Sequence, residues 1–191
     1  MKTPGVARGR RAFMAPIWIA AVAALVASTG LFLGVRLAVT QFAEVSTIVV
    51  LRHAETQPSG AADPALSAAG EARAMRLAQM FGEADATGSV RSIYASDTQR
   101  ARATAAPLAV RLGLKVETLA AGGIDDRLER LRAAGRGRTS LVVGDSNTVP
   151  RIIEQLSGGR IKVSVDEADH GSVFVVTVSS FGAPSVLKLR Y

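Results

Sequence analysis

The chain has 191 residues, room for one domain and little more. Aromatics make up only 5% of it while Ala, Val and Leu abound, which suits an α/β layer fold better than an aromatic-rich sandwich. It has no cysteine, so disulfides and thiolate metal sites are excluded. The formal net charge of +7 does not mark a nucleic-acid binder. Lys2, Arg8, Arg10 and Arg11 stand together ahead of the first apolar run, the remaining excess is scattered, and no Lys/Arg-rich stretch interleaved with aromatics follows.

In chain order, residues 1–12 form a basic tail and Phe13–Val35 an unbroken uncharged run. At 1.5 Å per residue that run spans roughly 30 Å, the thickness of a bilayer hydrocarbon core. A cleavable signal peptide has an apolar region of about 7–15 residues, shorter than this run, and the all-round apolarity with a basic flank favours a span over a buried soluble helix. The expectation is an uncleaved transmembrane anchor over 13–35. Four Lys/Arg precede it and Arg36 alone follows closely, so the positive-inside bias puts the N-terminus in the cytoplasm. The rest then lies outside the inner membrane, periplasmic or extracellular, as a linker over 36–45 and a domain over 46–191.

Within that domain strands alternate with helices. Thr47–Leu51 is a β-branched run suited to a strand buried on both faces. Ser67 can cap a helix whose apolar positions are Ala68, Ala72, Met75, Leu77 and Met80. Val90–Ala95 reads as a second strand and Arg100–Leu112 as a helix ended by Gly113. Asp125 or Asp126 can cap a helix near Arg127–Ala133, and Thr139–Val143 is a third buried strand. Pro150 marks a helix start and Gly158-Gly159 its end, followed by strands at Val173–Val178 and Val186–Leu189. This order predicts an α/β, three-layer, mainly parallel sheet flanked by helices.

Ligands bind such sheets outside the carboxyl ends of the strands. Arg52-His53-Ala54-Glu55, Ser96 to Arg100, and Gly144-Asp145-Ser146-Asn147 all fall there. A neutral imidazole can attack phosphorus and form a phosphohistidine that water later hydrolyses. Forked guanidinium groups such as Arg52 and Arg100 suit phosphoryl oxygens through paired, charge-assisted hydrogen bonds. A lone Arg-His pair is more ordinarily a loop histidine beside a surface ion pair.

Four blocks together decide the matter. Val50-Leu51-Arg52-His53-Ala54-Glu55-Thr56 resembles the strand plus Arg-His-Gly signature of the histidine phosphatase (phosphoglycerate-mutase-like) superfamily, with Ala54 in the glycine position. Leu66-Ser67-Ala68-Ala69-Gly70 resembles the turn that starts that family's first helix. Ser96 to Ala105 is similar to its Ser-x-x-x-Arg-Ala-x-x-Thr-Ala block, and Val142 to Pro150 to the block with its second histidine. The chain thus resembles the small, branch-1 members over residues 46–191. The resemblance implies a phosphoglycerate-mutase-like fold, His53 as nucleophile, and Arg52 and Arg100 as phosphate ligands, with Thr56 and Ser146 beside the phosphate. It implies no cofactor and no metal.

Asp145 departs from the family pattern, which has histidine there. Two unit charges 4 Å apart interact by about 4 kcal/mol at an effective dielectric of 20, so an ionised carboxylate opposes the phosphoryl group, while a protonated one would donate a hydrogen bond. The other histidine, His170, reads as a surface-loop residue. Asp125 and Asp126 fall in the stretch where some family members carry a general acid, although helix capping explains them equally.

The expected partners are the membrane, through 13–35, and a phosphorylated small molecule or phosphoprotein. Two readings stand. One is a phosphatase for a phosphomonoester or phosphohistidine; the other is a catalytically impaired module that binds phospholigands. Residues Gln57–Asp63 and Ala120–Gly123, where specificity would arise, are small or generic.

Overall fold

The computed structural model describes residues 17–42, 45–83, 89–119, 129, 137–179 and 182–191. Two units, Met1–Phe42 and Ala43–Tyr191, are compact by themselves. Of the helix expected near Arg127–Ala133, all but Glu129 lies outside the described residues.

In the first unit, helix α1 (Ile17–Phe42) runs on through Arg36 to Phe42. Its stretch Trp18–Leu37 has a mean hydropathy of 2.1, long and apolar enough to cross a membrane, with every side chain exposed. The hydroxyls of Ser28 and Thr29 donate back to the Leu25 carbonyl. Such bonding satisfies hydroxyl groups within the helix itself, without a partner from another element.

The second unit is a six-stranded sheet between helices. Its elements are β1 (Val45–Arg52), α2 (Ala68–Gly82), β2 (Val90–Ser96), α3 (Gln99–Leu112), β3 (Val116–Leu119), β4 (Thr139–Gly144), α4 (Thr148–Leu156), β5 (Ser172–Ser179) and β6 (Ser185–Arg190). The strand order is β3-β2-β4-β1-β5-β6. Strands β3, β2, β4 and β1 are parallel neighbours, whereas β5 pairs antiparallel with β1 and β6 with β5. The sheet is therefore parallel through its site-bearing part, with an antiparallel edge.

Strand β1 is central, and its alternation builds both cores. Ile48 and Val50 face one side with Ile152, Ile153 and Leu156 of α4. Val49 and Leu51 face the other with Leu77 of α2 and Leu108 of α3. All four β1 side chains are at most 2% exposed, and each stabilises the fold by about 1.5–3 kcal/mol through burial.

Ser67 caps α2 by accepting from the Gly70 amide, and Gly113, at φ 65°, ends α3. The buried face of α2 is Gly70, Ala74, Leu77 and Ala78, while Met75 and Met80 are exposed. The expected apolar face of α2 is corrected accordingly. Small residues at i, i+4 and i+8 let the helix approach closely, with Leu77 at i+7 filling the core, and the methionines fall on the outer side. Gly70 marks the tightest approach, because a Cβ there would sit on the carbonyl oxygen of Glu55.

Gly70→Ala is therefore expected to destabilise the domain by about 1–3 kcal/mol through overpacking, despite alanine's better helix propensity. Denaturant unfolding of the two proteins checks this; an unchanged or raised midpoint would refute the close approach.

Candidate active site

The parallel pairing of β1 with β4 places Arg52 opposite Gly144, and the His53 amide continues the ladder by donating to the Gly144 carbonyl at 2.9 Å. Asp145 is the next residue on β4's side. Arg100 lies in the first turn of α3, just after β2, the other neighbour of β4. Three strand ends thus deliver His53, Asp145 and Arg100 to one place.

His53 is 4% exposed. Its Nδ1 lies 2.8 Å from the Ala54 carbonyl oxygen, which only accepts, so Nδ1 carries the proton and Nε2 keeps its lone pair. Burial pushes the His53 pKa down from 6.5 to about 4; the neighbouring positive charges of Arg52 and Arg100 add to this, while the Ala54 hydrogen bond and Asp145 oppose it. The ring is neutral at pH 7.

Asp145 Oδ1 lies 3.8 Å from His53 Nε2. The same oxygen accepts from Arg100 Nη2 at 2.8 Å and Nε at 3.1 Å. Arg100 Nη1 donates to the Ala62 carbonyl at 3.2 Å and stands 3.6 Å from Asp63 Oδ1. Asp63 also receives the amides of Gln99 and Arg100 at the start of α3, where a carboxylate complements the helix dipole. Nothing in the sequence around Asp63 distinguishes it, and its role at Arg100 is found only in the fold.

Arg52 Nη1 donates to the carbonyls of Asp166 and Glu167. Its Nε is a buried donor without an acceptor among the described residues, the kind of group that an oxyanion satisfies. Burial lowers the Arg52 pKa, most strongly opposed by Glu167, yet a guanidinium remains charged.

Glu55 takes both oxygens to Arg73 of α2, and this bonding pulls its carboxyl down to about 2. Arg73 Nη1 also donates to the Tyr191 backbone oxygen at 2.7 Å. These bonds tie the loop after His53 to α2 and to the end of β6.

His53, Arg100 and Asp145 therefore meet directly, and Arg52 shares their electrostatic environment. Thr56 lies in a bridge with Leu66 and Ser146 in the turn before α4; among the described residues neither side chain bonds to the other four. Asp125 and Asp126 lie outside the described residues. His170 is not a surface-loop histidine: it is partly buried against His53, with ring centroids 5.5 Å apart. The extended chain before it explains this. Ile161, Val163 and Val165 pack on the core face beneath α4 and carry the loop back over the β1 end. Among the described residues no group of three His, Cys, Asp or Glu is arranged to hold a metal ion.

Residues 48–121 match the model of the histidine phosphatase superfamily (branch 1). No curated protein sequence matches it significantly. Among solved structures, the protein histidine phosphatase SixA complexed with tungstate is 17% identical and superposes with a TM-score of 0.60 over 75% of this chain and 96% of that one. A mycobacterial glucosyl-3-phosphoglycerate phosphatase complexed with VO3 is also 17% identical, with a TM-score of 0.53 over 76% of this chain and 98% of that one. At such identities the likeness is one of fold, and the fold is phosphoglycerate-mutase-like.

The depressed His53 pKa makes stability depend on pH. Between pH 6.5 and 4 the unfolded chain binds a proton that the folded ring refuses, so stability is intact above this window and falls as pH drops through it. Between pH 7 and 4.5 the loss attributable to His53 is expected to be roughly 2 kcal/mol. Unfolding measured across that range should show a flatter profile for His53→Asn, and parallel profiles would exclude a neutral buried His53.

Proposed function

We propose that the domain is a phosphatase that hydrolyses a phosphomonoester or a phosphohistidine through a phosphohistidine on His53. The carrying observation is the neutral, buried His53, with Nδ1–H committed to the Ala54 carbonyl and the Nε2 lone pair 3.8 Å from Asp145 Oδ1, the oxygen that Arg100 holds. The lone pair attacks phosphorus, the P–O or P–N bond to the leaving group breaks, and the leaving atom takes up a proton. Water then attacks the phosphorus of the Nε2–phosphoryl group, releasing inorganic phosphate and restoring His53. Arg52 and Arg100 hold the phosphoryl oxygens. The tungstate and VO3 held by two fold relatives support an oxyanion as ligand for this domain.

A second reading, a catalytically impaired module that binds phospholigands, is favoured by one observation. Asp145 Oδ1 already fills the Arg100 fork, so a phosphate has to displace a carboxylate that also repels it. In the phosphatase reading this makes Asp145 a handicap for ordinary phosphomonoesters.

Asp145→His is expected to raise the hydrolysis of para-nitrophenyl phosphate at pH 7 by roughly 10²–10³-fold, the value of one recovered donor in a preorganised site. His53→Ala in that background should abolish the gain. A native protein that works well at neutral pH and is slowed by Asp145→His would instead make Asp145 an adapted catalytic group.

We further propose that α1 anchors the domain to the cytoplasmic membrane with the N-terminus inside, on the strength of its length, its apolarity and the basic residues before Phe13. Alkaline phosphatase fused after Tyr191 should be active and green fluorescent protein fused there dark. The reverse pattern excludes this orientation.

A further inference from the structure

His170 is the second of the chain's two histidines, and its Nδ1 lies 2.9 Å from the His53 carbonyl oxygen. A carbonyl only accepts, so His170 Nδ1 carries a proton and donates it. That carbonyl lies beyond the strand ladders: β1 pairs with β4 as far as Arg52 and with β5 as far as Leu51. A buried acceptor there needs a side-chain partner. His170 is that partner.

The other end of the same peptide unit is also held. The Ala54 amide donates to Thr104 Oγ1 at 2.9 Å, and the Thr104 hydroxyl donates to the Arg100 carbonyl at 2.8 Å. The plane joining residues 53 and 54 is therefore gripped at its C=O by His170 and at its N–H by Thr104. The His53 amide and Nδ1 are bonded as well, so Nε2 is the one polar atom of His53 outside this bonding. Tilting the 53–54 plane would shift the backbone on which the imidazole is mounted, and with it the direction of the Nε2 lone pair.

We propose that His170 is a positioning residue for His53, acting through its Nδ1–H on the 53–54 peptide and not by contact with the phosphoryl group. This rests on the reading of His53 as the nucleophile. Its support is itself built in. Ile161, Val163 and Val165 hold the preceding segment to the core, and the adjacent Asp169 accepts from Ser172 Oγ at 2.6 Å and pairs with Lys188 and Arg190 of β6.

Asparagine carries its Nδ2 on Cγ, as histidine carries Nδ1, so His170→Asn keeps a donor at the same place while removing the ring. His170→Ala removes the donor. The full-length wild type and both variants, purified in detergent, would be given phosphoramidate as phosphoryl donor and the rate of His53 phosphorylation followed. His170→Ala is expected to lower the maximal rate roughly 10–100-fold, the cost of a misplaced reacting group, with little change in the half-saturating concentration. His170→Asn is expected to recover most of it.

Equal loss in both variants, or none in His170→Ala, overturns the proposal. In parallel, 15N spectra of the labelled imidazoles should show His53 as a single Nδ1–H tautomer in wild type and His170→Asn, and as a mixed or broadened species in His170→Ala. If the wild type takes no phosphoryl group, the nucleophile reading fails. The imidazole spectrum then decides positioning alone, and an unchanged His53 signal in His170→Ala refutes it.

Discussion

Burial of an uncharged imidazole at the end of β1 is the constraint around which this domain is arranged. The strand has neighbours on both sides and helices over both faces, so the residue that follows it is still inside the protein. An imidazolium there would lose its hydration without gaining a full counter-charge, so the proton is refused and the lone pair is kept. The same dryness penalises every other unpaired charge nearby. It is consistent that Arg100 is paired with Asp145 and Asp63, and that Arg52 leans on the carbonyls of residues 166 and 167.

That pairing sets the electrostatic character of the site. Two guanidinium groups face two carboxylates, and the ring between them is neutral. Asp145 Oδ1 lies within 4 Å of both Arg100 and Nε2, close to where an oxygen of a phosphoryl group on His53 would have to go. An incoming phosphate then exchanges one anion for another on Arg100, and its net gain is the difference between two charge-assisted contacts rather than the whole of one. In the proposed function Asp145 would set the threshold for phosphate binding while His53 stays neutral.

Much of this was legible in the chain because the signals were local. A β-branched run too short for a helix gave β1, and the strand-end rule placed Arg52, His53, Arg100 and Asp145 together before any contact was known. Other features depended on distant partners. Strand β3 is four residues at a sheet edge, too short to show a period, and the antiparallel pairing of β5 is set by the loop that returns the chain to the His53 end. Met75 and Met80 are apolar at roughly helical spacing with Leu77, whereas α2 packs through Gly70, Ala74, Leu77 and Ala78. Asp63 and His170 owe their places to loops whose ends are fixed elsewhere, and no spacing in the sequence announces them.

The charge balance also bears on which phosphoryl donor fits best. An ester leaves as an alkoxide unless an acid protonates it, so its transition state builds negative charge on both the phosphoryl oxygens and the leaving atom. A phosphorylated imidazole already protonated on its other nitrogen leaves as a neutral ring. Its transfer to His53 also breaks one P–N bond and makes another, a nearly balanced exchange. A site in which Arg100 is already paired with Asp145 and Asp63 has little to offer developing anionic charge. Of the two donors proposed, phosphohistidine makes the smaller demand on the interaction that Asp145 weakens. On the proposed function, a carboxylate that would obstruct ordinary esters is compatible with turnover of a phosphohistidine, and would discriminate between the two classes by what each leaving group requires.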